Sequence, residues 1–152
     1  MYSKGMTSNL TKLFGRNLEQ LSAELEAYAI ETALWTLVGD IKNSPGTLTL
    51  HIVGSLNHFI GATLGHSDYV RDRDAEFSRQ DVPREELLEM VEDTRLMLER
   101  VLPDLDKDTL EGLYPQEVLG YPMTTQYFLI HLFGHLSYHL GQINYHRRLM
   151  AV

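Results

Sequence analysis

The stretch that most constrains this chain runs from Thr124 to Met150, TTQYFLIHLFGHLSYHLGQINYHRRLM. It contains no proline, and Thr124 is a favoured N-cap, so it predicts one helix about 39 Å long. Four of the seven histidines lie on it, at His131, His135, His139 and His146. At about 100° per residue, their spacing leaves the four imidazoles within roughly 80° of one another on one face. Neutral imidazole is a common ligand for zinc and suits nickel, copper and iron, and a pair spaced i, i+4 can reach one ion. His131 and His139 are about 12 Å apart along the axis, too far to share an ion whose bonds are about 2 Å. Spacing alone leaves His131/His135 and His135/His139 open, with His135 common to both. The bland alternative is a set of hydrogen-bonded core or groove histidines.

The rest of the chain supplies helices to pack against that rod. Residues 8–30 place Leu10, Leu13, Phe14, Leu18, Leu21, Leu25 and Tyr28 in the three-and-four rhythm of a core-facing helix. Residues 31–43 read as a connector whose Leu34, Trp35, Leu37, Val38 and Ile41 plug one end of the core, with Gly39-Asp40 breaking it. Ser44-Pro45 is an N-cap followed by proline at the first helical position, and opens a second helix reaching about Leu64. On it, His51, Gly54, His58 and Gly61 form a polar-and-small stripe.

Each interior glycine costs about 1 kcal/mol relative to alanine. Close packing of helices, or room for a substrate beside the histidines, would offset that cost here and at Gly134 and Gly141. Residues 65–81 are polar and charged, without an apolar rhythm, and read as a long surface crossover. Pro83 then opens a third helix with Leu87, Val91, Leu98 and Leu102 inward and Glu85, Glu89, Glu92 and Arg95 on a solvated face, ended by Pro103. Residues 104–122 form a second irregular connection. Four amphipathic segments, with no period-two pattern and no internal repeat, predict an all-α four-helix bundle over residues 1–152 as one domain. Sites in such bundles are built from inward side chains on facing helices, which pairs the second-helix stripe with the fourth helix.

Composition removes several functions. The 152 residues include no cysteine, so disulfides, thiolate metal sites and a cysteine nucleophile are excluded. No apolar run approaches the roughly 20 residues of a membrane span, and the N-terminus lacks a signal-like apolar core, so a soluble cytoplasmic protein is expected. The formal charge of −8 disfavours nucleic acid. The one short basic run, His146-Arg147-Arg148, suits the negative end of a helix.

Three segments carry a resemblance: TLTLHIVGSLNHFIG, YVRDRDAEFSRQDVPREEL and FLIHLFGHLSYHLGQI. Together they resemble the DinB-like family, also described with YfiT-like metal-dependent hydrolases. The resemblance implies a bundle connected up-down-down-up, with a long crossover between the second and third helices. It also implies a divalent metal, commonly nickel or zinc, held by three histidines, and frequent homodimers. Carried over position by position, the HxxxH before Gly-Gln falls on His135 and His139, and the second-helix ligand falls on His51. His131 and His58 then rank as pocket groups, and with Tyr138 they are the candidate catalytic side chains. Leu140 stands where many relatives have an arginine.

Activities within the family are largely S-transfer or isomerisation with a low-molecular-weight bacterial thiol such as bacillithiol or mycothiol. A small-molecule substrate and a thiol cosubstrate are therefore implied. The alternatives are a hydrolase using metal-bound water and a non-enzymatic stress-associated metal-binding or scaffold bundle. In the latter, His58 would complete a closed site as the fourth ligand.

Overall fold

The computed structural model describes residues 2–151. Its elements are α1 (Tyr2–Ala27), a 3₁₀ turn (Glu31–Trp35), α2 (Pro45–Leu56) continued by a π-helical turn (Asn57–Ala62), α3 (Arg73–Ser78), α4 (Arg84–Val101) with a 3₁₀ turn (Leu102–Asp104), α5 (Lys107–Glu111) and α6 (Thr125–Met150). The expected caps form: Ser44 Oγ accepts from Thr47 N, with Pro45 at the first helical position, and Thr124 Oγ1 accepts from Tyr127 N. The four long helices are those the apolar periodicity predicts. The inward positions Phe14, Leu18, Leu21 and Leu25 of α1 and Leu87, Val91, Leu98 and Leu102 of the α4 segment are all buried.

Helix directions follow from the cross-links. α1 runs parallel to α6, because Phe14 meets Phe133, Asn17 donates to Ser137 and Asn144 donates to Glu24 in ascending order on both. α2 runs antiparallel to α6, with His51 beside His135 and His139 and Phe59 against Phe128. α4 starts where α1 ends, since Arg84 donates to the Tyr28 carbonyl. α2 and α4 are parallel: Asn57 donates to Thr94, and Gly61 faces Met97. The order is up-down-down-up. Each of α1 and α2 packs on both α4 and α6.

Two parallel neighbours need a connection that returns the full length of a helix, about 27 Å for the 18 residues of α4. The crossover does this along α2, and it departs from the sequence expectation in containing α3, whose Glu76 is buried to 6% exposure. Asp72 caps α3 by accepting from Ala75 N. Its charged residues hid the helix because a single turn carries little apolar rhythm, and α3 is held by what Glu76 meets, described below. The second connection likewise contains α5, capped by Asp106.

Other expectations are corrected in detail. α1 begins at Tyr2 and ends at Ala27, rather than spanning residues 8–30. Leu34 and Trp35 do plug the core, the indole lying against Gly46 where a Cβ would meet it at 2.5 Å, but Leu37 and Ile41 are exposed. The second helix loosens at Asn57 into i→i+5 bonds, Thr63 N to His58 O and Gly65 N to Ile60 O, and the Phe59 carbonyl accepts from the Tyr114 hydroxyl instead. This shift breaks the single stripe: Gly54 faces Glu76 of α3 and Gly61 faces Met97 of α4. At Gly134 and Gly141 a Cβ would meet no neighbouring element within 4 Å among the described residues, so close helix packing does not explain these two glycines. Among the described residues no helix is long and apolar enough to cross a membrane.

Candidate metal centre

Because α2 and α6 are antiparallel neighbours, one residue of α2 can face an i, i+4 pair of α6. His51 does so. Its Nε2 lies 3.2 Å from Nε2 of His135, which in turn lies 3.0 Å from Nε2 of His139. One ligand atom from each ring fits within 4.8 Å of the others. The rings meet nearly edge to face, with interplanar angles of 75°, 82° and 86°, so three nitrogen edges converge on one point. A tetrahedral ion with bonds of about 2.0–2.1 Å holds its ligand atoms about 3.3 Å apart. The spacing fits.

Protons do not account for this convergence. His51 Nδ1 lies 3.1 Å from Glu76 Oε1, and Glu76 is gripped by Arg71 through Nε at 2.8 Å and Nη2 at 2.9 Å. Burial pushes the Glu76 carboxyl up, but the hydrogen bonds from His51 and Arg71 and the guanidinium charge outweigh it and hold it below the ordinary carboxylate value. An ionised carboxylate only accepts, so Nδ1 of His51 carries a proton, and in the neutral imidazole that leaves Nε2 bare.

At the other end, His139 Nδ1 lies 2.7 Å from the Gln142 amide oxygen, which leaves Nε2 of His139 bare as well. Burial, then the neighbouring His139 and His51, push His135 down to about 4, and burial also lowers His139 against the raising effect of Gln142. His135 is therefore neutral near pH 7, with at most one proton to offer two facing lone pairs. Three convergent imidazole nitrogens short of protons form a donor set that could hold a cation. The partners on the outer nitrogens of His51 and His139 fix those tautomers, an arrangement also used by histidines that ligate metals.

The remaining candidates stand apart. His131 is exposed, its ring stacked on Phe128 at 5.9 Å and on His135 at 6.4 Å, and it does not join the ligand group. Tyr138 is 66% exposed, with its ring 5.5 Å from that of His139. His58 packs on Phe59 and stays out of the cluster: seven residues beyond His51 is about 10.5 Å of rise, more than one ion can bridge. Among the described residues no fourth side chain closes the site.

Sequence reasoning assigned no role to Glu76, Arg71 or Gln142. The first two lie in the charged crossover read as surface, although YVRDRDAEFSRQDVPREEL, which contains both, was one of the segments carrying the resemblance. Gln142 ends the HxxxHxGQ run. Gly54 belongs with them, since a Cβ there would collide with the Glu76 carboxylate.

Comparison with known proteins adds the family. A crystal structure of a conserved protein from Enterococcus faecalis superposes with a TM-score of 0.75, covering 94% of this chain and 95% of the other at 17% identity, which shows a shared fold. No curated protein matches. The sequence profile of the DinB superfamily matches residues 13–143, most of the chain. By that match the chain belongs to the DinB superfamily.

Proposed function

We propose that His51, His135 and His139 bind one divalent cation, zinc or nickel, and that the chain is an enzyme activating a low-molecular-weight thiol for S-transfer to a small electrophile. The observation that supports this is the convergence of three Nε2 atoms, with the His51 and His139 rings held by Glu76 and Gln142 so that their Nε2 lone pairs face His135. An ion with only three protein ligands keeps a position at which a thiol or a water loses its proton near neutral pH.

The chain's own residues prepare that position. Arg71 holds Glu76 ionised, Glu76 holds the His51 tautomer, and Gln142 does the same for His139. His131, exposed beside His135, accepts the proton from the incoming S–H. The sulfur lone pair then forms the new bond to the electrophile, whose leaving group departs with its electron pair. With no cysteine in the chain, the sulfur comes from the cosubstrate.

A hydrolytic reading replaces the thiol with water. Glu76 is not its base, because both carboxylate oxygens are engaged by Arg71 and His51; His131 takes that part too. Turnover of a panel of small electrophiles, measured with and without added thiol on protein of known metal content, separates the two. The thiol reading expects turnover only with both metal and thiol. Turnover with metal alone favours hydrolysis, and absence of a stoichiometric metal ends both.

A further inference from the structure

Two cavities flank the histidine cluster along α6, and they differ in charge. The one toward the helix C-terminus, about 510 Å³, includes Asp40 and Lys42 among apolar walls such as Ile41, Leu48 and Leu149. The one toward the N-terminus, about 240 Å³, has His51 and His135 on its lining together with Arg71, Arg73 and His131, and no carboxylate. In a chain with 21 acidic residues against 13 basic ones, that is a local reversal of sign.

The two arginines are not equivalent. Arg71 is committed to Glu76 through Nε and Nη2. Arg73 lies with its guanidinium over the Phe77 ring, 5.1 Å from the centroid, and among the described residues no carboxylate pairs with it. Stacking fixes the plane of a guanidinium and leaves its N–H edge to bind, the geometry that suits a carboxylate held by two parallel hydrogen bonds. Phe59 and Phe128 provide apolar wall for a short carbon chain. The volume corresponds to roughly eight waters at about 30 Å³ each, ample for a four-carbon acid.

We propose that this cavity is a carboxylate subsite in which Arg73 binds the acid group of the small molecule whose reacting atom meets the histidine cluster. The inference deepens the metal reading above and rests on it for the second half of that statement. It is specific to one arginine.

The first test uses metal-free protein. Succinate titrated into it, followed through the arginine Nε–Hε resonances, is expected to bind saturably, to weaken as salt is added, and to lose about five- to tenfold in affinity in Arg73→Gln. Arg79→Gln, which removes an exposed partner of Glu86, is the control and should match the unmodified protein. Absence of saturable binding, or equal binding by Arg73→Gln, overturns the subsite. Inorganic phosphate binding more tightly than succinate through Arg73 overturns the carboxylate assignment.

The second test uses cobalt-loaded protein and the sulfur-to-cobalt absorption band. Mercaptosuccinate should bind about tenfold more tightly than 2-mercaptoethanol, and the gap should close in Arg73→Gln with one cobalt per chain retained. Equal affinities in the unmodified protein, or a gap that survives the substitution, contradict the proposal. Protein that binds succinate through Arg73 but takes up no cobalt keeps the subsite and refutes the metal centre. Protein that takes up cobalt but ignores succinate does the reverse.

Discussion

His135 and His146 sit about three turns apart on α6 and are both at least partly buried, yet they are opposite kinds of histidine. His146 is 3% exposed and fully satisfied: its Nε2 donates to the Thr36 carbonyl at 2.8 Å, and its Nδ1 accepts from the Tyr28 hydroxyl at 2.8 Å. Burial pushes the Tyr28 hydroxyl up, so it keeps the proton it donates. His135 faces the bare nitrogens of two other rings. Burial does not separate a structural histidine from a candidate ligand; what separates them is whether each lone pair has a proton to meet.

The contrast is broken most directly by exchanging the two losses. His135→Ala should lower divalent-metal affinity by on the order of a thousandfold, read by chelator competition, while leaving the melting of metal-free protein nearly unchanged. His146→Ala should do the opposite. It keeps the metal but leaves the Tyr28 hydroxyl only its longer bond to the Ile143 carbonyl, at 3.3 Å, and takes the imidazole from the Thr36 carbonyl, costing about 2 kcal/mol in denaturant unfolding. If both variants lost metal and stability together, the distinction would fail.

Smaller perturbations sharpen it. Glu76→Gln removes the charged acceptor behind His51, and Gly54→Ala pushes Glu76 away by steric overlap, so each should cost about 10–100-fold in metal affinity without touching a ligand. An unaltered affinity in both would separate Glu76 from the site. Acid should reveal His135 in the metal-free protein. Its folded-state value, about 4, lies below the ordinary 6.5. Between those two values the unfolded chain binds more protons, so this group's contribution is complete above pH 6.5 and is lost as pH falls toward 4. Thermal melts across that window should show the loss reduced in His135→Ala. The smallest effect is expected at Arg95, which pairs with Glu92 and Glu99 on the solvated face of α4: Arg95→Ala should change stability by about 0.5 kcal/mol or less.

How far the sequence could be read follows the range of the interactions involved. Ser44-Pro45 and Thr124 announce helix starts because caps act within three or four residues. The apolar rhythm of α1, α4 and α6 marks the bundle because each face repeats along its own helix. The histidine row shows where an ion can sit, but its periodicity could not choose between His131/His135 and His135/His139. That choice came from the family resemblance, and the folded chain brings His51 to the latter pair.

What stayed hidden depends on residues distant in the chain. Glu76 is buried because Gly54 leaves room for it and Arg71 and His51 compensate its charge. No local pattern around Glu76 states that. The widened turn at Asn57 is likewise completed from outside, by Tyr114 on the carbonyl of Phe59. His58 looked like a partner of His51 because two turns bring it back to the same side of the helix, but the rise over those seven residues, about 10.5 Å, is more than one ion can bridge.

The central claim, that three imidazoles share one cation, is tested most directly by anomalous diffraction from crystals of the protein grown with its native metal. The account predicts a single peak about 2.0–2.1 Å from Nε2 of each of His51, His135 and His139, with Nδ1 of His51 still on Glu76. A map with no peak there, or with a metal bound elsewhere while the three rings remain bare, would contradict it.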